Sequence, residues 1–100
     1  MPGPAGEKYQ LAGFDARERG FNRPVEFIQT SSGCQATLRY ESSRFITPEA
    51  PSPTEALKQL ILLLQQDGYT QLRSQQSYRD GIYLGSQELW VEYPDRPPVS

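Results

Sequence analysis

The sequence predicts an α+β fold of order ββαββ, in which two antiparallel hairpins form one sheet and a single helix packs on one face. Three observations carry that expectation. Residues 34–41, CQATLRYE, alternate apolar and polar side chains without a break. Residues 52–68 join a helix start to an apolar stripe and a glycine stop. Asp80-Gly81 stands between two strand-like runs, and two-residue hairpin turns favour that dipeptide because both positions need positive φ.

Residues 1–20, MPGPAGEKYQLAGFDARERG, mix Pro, Gly and charge with no sustained period, which predicts a flexible N-terminal segment. Tyr9, Leu11 and Phe14, with Phe21 just beyond, are the side chains that would dock if it orders. The folded domain is expected over 21–95. In PVEFIQT (24–30), Val25 and Phe27 take one side of a strand, and Ser31-Ser32-Gly33 supplies turn chemistry. Cys34, Ala36, Leu38 and Tyr40 then share one side of a second strand, opposite Gln35, Thr37, Arg39 and Glu41. Period-two patterning of this kind marks a half-buried strand, and the two strands read as a hairpin. Cys34 falls on the apolar side, as a small core residue rather than a reactive thiol.

The three prolines of TPEAPSP end that segment. Ser52 is placed to cap a helix, with Pro53 at its first position and Glu55 completing a capping box. Leu57, Leu60, Ile61 and Leu64 recur at helical spacing, flanked by Ala56 and Leu63, and Gly68 supplies the stop.

Counting outward from an Asp80-Gly81 turn sets Arg79 opposite Ile82, Tyr78 opposite Tyr83, Arg73 opposite Glu88 and Leu72 opposite Leu89. Opposite charges and paired leucines favour that register. Gly85 inside the second strand marks a bulge or a break. One sheet face would then carry Arg73, Arg79, Ile82, Leu84 and Trp90, together with Glu88 and Glu92. The other would set Leu72, Tyr78, Tyr83, Leu89, Val91 and Tyr93 beneath the helix. Residues 96–100 form a short Pro-rich tail.

Composition narrows the function. The 100 residues carry net charge −2, 36% hydrophobic side chains and a mean hydropathy of −0.66, which suits one small domain with some tail. The charge argues against a dedicated polyanion binder. Histidine is absent, which removes the commonest general base and metal ligand. One cysteine allows no internal disulfide and no thiolate zinc cluster. No apolar run is long enough to span a bilayer, and the N-terminus has no apolar leader core, so a cytoplasmic protein without cofactor, metal or membrane attachment is expected.

Gly81-Ile82-Tyr83 followed by Leu84-Gly85 resembles the two halves of the GIY-YIG nuclease signature run together. In that family the halves lie on neighbouring strands and an arginine-bearing helix follows. Here the halves are contiguous, the helix precedes them and it carries no arginine, so a hairpin turn and strand account for the letters. The segments RYESSRF, EALKQLILLLQQDGYTQLRSQ and YLGSQELWVEYPD resemble small cyanobacterial proteins of unassigned role over residues 34–95. That resemblance implies a prokaryotic accessory protein and assigns no catalytic residue.

The expected function is a non-catalytic protein-interaction or accessory module. It would bind another protein, or a second copy of itself, through Trp90, Leu84, Ile82, Arg73 and Arg79 on the open sheet face or through an edge strand. The alternative is weak nucleic-acid binding by the same arginines and aromatics. Glu88 and Glu92 on that face oppose phosphate, which favours protein.

Overall fold

The computed structural model describes residues 7–95. The expected Pro-rich tail and the first six residues lie outside them. The chain is α+β, with one antiparallel sheet and one helix, but four strands precede the helix. They are β1 (Lys8–Phe14), β2 (Gly20–Gln29), β3 (Cys34–Tyr40) and β4 (Ser43–Ile46). Helix α1 (Pro53–Gln66) follows, then β5 (Thr70–Arg79), β6 (Ile82–Tyr83) and β7 (Val91–Glu92). The sheet runs β4-β3-β2-β1-β5-β6, and β7 pairs with β5 farther along the same edge.

Strand β1 corrects the expectation of a flexible segment over 1–20. It lies inside the sheet, antiparallel to β2 on one side and to β5 on the other. Tyr9 and Leu11 alternate onto the helix side, where Leu11 is fully buried and Tyr9 meets Phe27 edge-to-face. The apolar residues of that segment therefore belong to the core, and β1 joins the two halves of the chain.

The first expected hairpin is present as β2 and β3, with Glu26 opposite Thr37 and Gln29 opposite Cys34. Val25 and Phe27 are buried, as are Cys34, Ala36, Leu38 and Tyr40. β2 changes partner along its length, because residues 20–25 pair with β1 and residues 26–29 with β3. Pro24, which has no N–H to donate, stands next to that change. The short β4 was not expected. It turns back on β3 through Glu41, whose φ is 55°. The linker beyond it stays against β3. Thr47 Oγ1 accepts from the Ala36 N–H at 2.9 Å, and Cys34 and Ala50 exchange backbone hydrogen bonds.

The helix forms as its sequence dictates. Ser52 Oγ accepts from the Glu55 N–H at 3.3 Å, Pro53 opens the first turn, and Gly68 leaves it with φ 96°. Ala56, Leu57, Leu60, Ile61 and Leu64 are buried, and α1 packs chiefly on β3. With Leu11, Val25, Leu38 and Leu72 they form one continuous core on the helix side of the sheet. Each fully buried leucine contributes roughly 1.5–3 kcal/mol by leaving water.

Candidate functional site

The expected site falls on β5 and the segment after it. Asp80 and Gly81 have φ of 52° and 79°, so the turn is of the two-residue type, and Tyr78–Tyr83 and Arg79–Ile82 pair as expected. The ladder then stops. Gly85 takes φ 66°, the Leu84 N–H donates to the Ser77 carbonyl at 2.8 Å, and the chain leaves the sheet until Val91. Pairing resumes four residues later than expected, with Arg73 opposite Glu92 and Ser74 opposite Val91. The expected pairs Arg73–Glu88 and Leu72–Leu89 are therefore absent.

The expected face is also divided. Against β1, Lys8 is opposite Tyr78 while the next residue, Tyr9, is opposite Gln76, so Ser77 is an extra residue in β5. A one-residue bulge reverses the side on which every later side chain emerges. Tyr78 therefore lies on the open side, beneath Lys8 Nζ at 5.3 Å, and its ring meets Tyr83 at 5.1 Å between centroids. Arg79 goes to the helix side, where it donates to Gln76 Oε1 at 3.1 Å and bridges to Glu88. Ile82, opposite Arg79, goes with it.

Arg73 and Trp90 do come together, with the guanidinium 5.3 Å from the indole centroid on the open side. Leu84 is half-buried outside the ladder. Of the five expected residues, then, Arg73 and Trp90 share a site, Arg79 and Ile82 lie across the sheet, and Leu84 stands between. Tyr78, Tyr83 and Lys8 join the open side unannounced, because the bulge that places them there depends on a partner strand taken for a flexible segment. Nor do Tyr83, Leu89 and Val91 lie beneath the helix. Leu89 is 87% exposed, Tyr83 66% and Val91 54%. Ile82, at 66%, and Trp90, at 38%, complete a concentration of exposed apolar side chains over residues 82–91.

The strongest polar cluster lies elsewhere. Asp15, nearly inaccessible, accepts from the Arg17 and Arg19 N–H groups at 2.9 Å, from Arg19 Nε at 3.0 Å and from the Tyr40 hydroxyl at 2.8 Å. The Arg19 backbone hydrogen bond, with those from Tyr40 and Arg17, lowers its carboxyl to about 2 from an ordinary 3.8. Arg19 continues to Glu41. The cluster ties the β1–β2 turn to the β3–β4 turn, and its oxygens are spent on those bonds. The Tyr40 partner lies 25 residues from Asp15, so no local window of the sequence contains the cluster.

Cys34 is buried, and burial raises its thiol pKa, so it stands as a core residue. Among the described residues no helix is long and apolar enough to cross a membrane. No family model matches the chain, and neither the curated proteins nor the solved structures contain a significant match.

Proposed function

We propose that the chain is a non-catalytic protein-interaction module that docks through residues 82–91, and that a second copy of the chain is the occupant. The exposed apolar side chains of that segment, Leu89 above all, carry the reading. Trp90 with Arg73 stacked on it is the type of aromatic–guanidinium pair that anchors interfaces. Arg73 and Glu92 face each other across the ladder without forming an ion pair. A two-fold related copy would let each pair with the other's opposite charge, whereas a strongly charged partner of either sign would meet a like charge. The cytoplasmic, bacterial setting is part of the same proposal and draws on the single reduced cysteine and the resemblance in segment order.

Sedimentation velocity of the wild type and of Leu89→Ser tests it. A concentration-dependent dimer lost in the variant, with cooperative unfolding kept, is the expected result, since Leu89 supports nothing in the core. A monomer at about 100 µM, where even weak specific pairing would register, overturns self-association.

The nucleic-acid reading has one observation in its favour: Tyr78, Tyr83 and Trp90 all lie on the open side with Lys8 and Arg73. Those cations already lie over the Tyr78 and Trp90 rings, so a base would have to displace them to stack. Protein contact is therefore the better fit.

A further inference from the structure

Where β2 leaves β1 for β3, the strands part, and a cleft of about 510 Å³ opens between them. Roughly 300–1,000 Å³ is usual for small-molecule sites. Three arginines line it: Arg23, Arg39 and Arg44. Arg39 and Arg44 are direct cross-strand partners on β3 and β4. Like charges in that position repel and destabilise a sheet. Arg23, opposite Leu11 in the ladder, belongs to the helix side, where its guanidinium lies 5.8 Å from the Tyr40 ring, so it borders the cleft from across the sheet.

None of the three forms an ion pair among the described residues, whereas Arg19 and Arg79 both do. Glu26 is the one carboxylate in the lining, so on that side of the sheet two positive charges meet one negative charge, in a chain of net charge −2. Two of the ten cationic side chains thus face each other at one cavity without an ion-pair partner among the described residues.

The register adds a second component. Pro24, Glu26 and Ile28 alternate onto the side that carries Thr37, Arg39 and Arg44. Pro24 and Ile28 are exposed there and give the cleft an apolar wall beside its charges. Guanidinium groups bind phosphate oxygens bidentately, and two of them facing each other match a dianion better than a monoanion. The charges converge on one cavity instead of following a stripe, which fits a single phosphate group and not a polymer backbone.

We propose that this cleft binds a small phosphomonoester, its phosphate held between Arg39 and Arg44 and its apolar body resting against Pro24 and Ile28. The bound anion removes the repulsion between Arg39 and Arg44, so binding and stability are linked.

Titration followed by amide chemical shifts tests this, with adenosine monophosphate, inorganic phosphate and adenosine as probes at constant ionic strength. Saturable shifts at Thr37, Arg39 and Arg44 are expected with both phosphates, the nucleotide binding more tightly and adenosine not at all. Arg44→Gln and Arg39→Gln should each weaken nucleotide binding by about tenfold or more, the loss expected for one charge-assisted contact. Without ligand, both variants should melt no lower than wild type, since each removes one member of a like-charged pair. That separates lost binding from lost folding.

Absence of saturable shifts with either phosphate overturns the proposal, as does unchanged affinity in both variants. A single-stranded oligonucleotide that binds the cleft more tightly than the nucleotide, with steep salt dependence, also overturns it and makes the cleft a nucleic-acid contact.

Discussion

Gln76 and Tyr78 are two residues apart on one strand, yet they emerge on opposite sides of the sheet, because Ser77 between them is a bulge. Had β5 been regular, Arg73, Arg79 and Ile82 would share a face. The bulge instead gives Lys8, Tyr78 and Tyr83 to the open side and Arg79 to a bridge with Glu88. Deleting Ser77 should make Gln76 and Tyr78 adjacent in a regular strand, so the ladder keeps Tyr78 opposite Lys8 and the Lys8–Tyr78 contact survives without the bulge. Retained nuclear Overhauser contacts between Lys8 and the Tyr78 ring are the expected result, and their loss would show that Ser77 is not the extra residue.

Trp90 is the only tryptophan, so its fluorescence reports one place. Arg73→Ala should shift its emission to the red as the ring loses its cover. Stability should fall by only ~0.5–1 kcal/mol, the range for an exposed cation–π pair. Unchanged emission would mean that the guanidinium does not shield the indole in solution.

Leu60 is fully buried between α1 and the sheet, so Leu60→Ala should cost ~2–5 kcal/mol in denaturant unfolding. A loss near zero would contradict the packing of the helix on the sheet.

Asp15 makes stability depend on pH. Its folded-state pKa is lowered from 3.8 to about 2, so the unfolded chain takes up this proton first as pH falls. The stabilisation is complete above the unfolded value and fades as pH drops from 3.8 to about 2. Asp15→Asn should melt lower than wild type at neutral pH and show a flatter acid limb in thermal scans. An equally steep acid limb would place the responsible carboxylate elsewhere.

Two glycines should respond differently to alanine. At Gly33 an added methyl would drive into the Ala50 carbonyl, and that backbone is held by its exchange of hydrogen bonds with Cys34. Gly33→Ala should cost about 1–3 kcal/mol through overpacking. At Gly81 nothing lies within 4 Å of such a methyl, so Gly81→Ala meets only the positive-φ penalty of roughly 1 kcal/mol. Equal melting temperatures for the two variants would contradict the close approach at Gly33.

The parts legible in the sequence are those whose determinants are local. Ser52, Pro53 and Gly68 delimit the helix, residues 34–40 show their own alternation, and Asp80-Gly81 carries its turn preference in two letters. β1 was hidden because glycine and charge surround its four apolar side chains. β4 is four residues long, with one exposed and one half-buried apolar side chain, too little for a period to emerge. The bulge at Ser77 and the excursion over 84–90 are relations between strands, and no window along one strand contains them. The site inherited that blindness. Arg73 and Trp90 were found together because a four-residue slip in register preserves the face, whereas Arg79 and Ile82 were misplaced because a one-residue bulge does not.

The position of β1 bears on how the molecule comes to exist on the ribosome. Lys8 pairs with Tyr78 and Phe14 with Thr70, so one edge of β1 has no partner until more than fifty further residues have been made. During that interval β1 to β4 can form a meander, and α1 can dock on β3 once it is made, but β1 remains an open edge beside Leu11. Pairs this distant in sequence also slow closure of the sheet. Synthesis therefore contains a window in which the nascent chain offers a bare strand to its neighbours, and that window closes only when β5 emerges and docks.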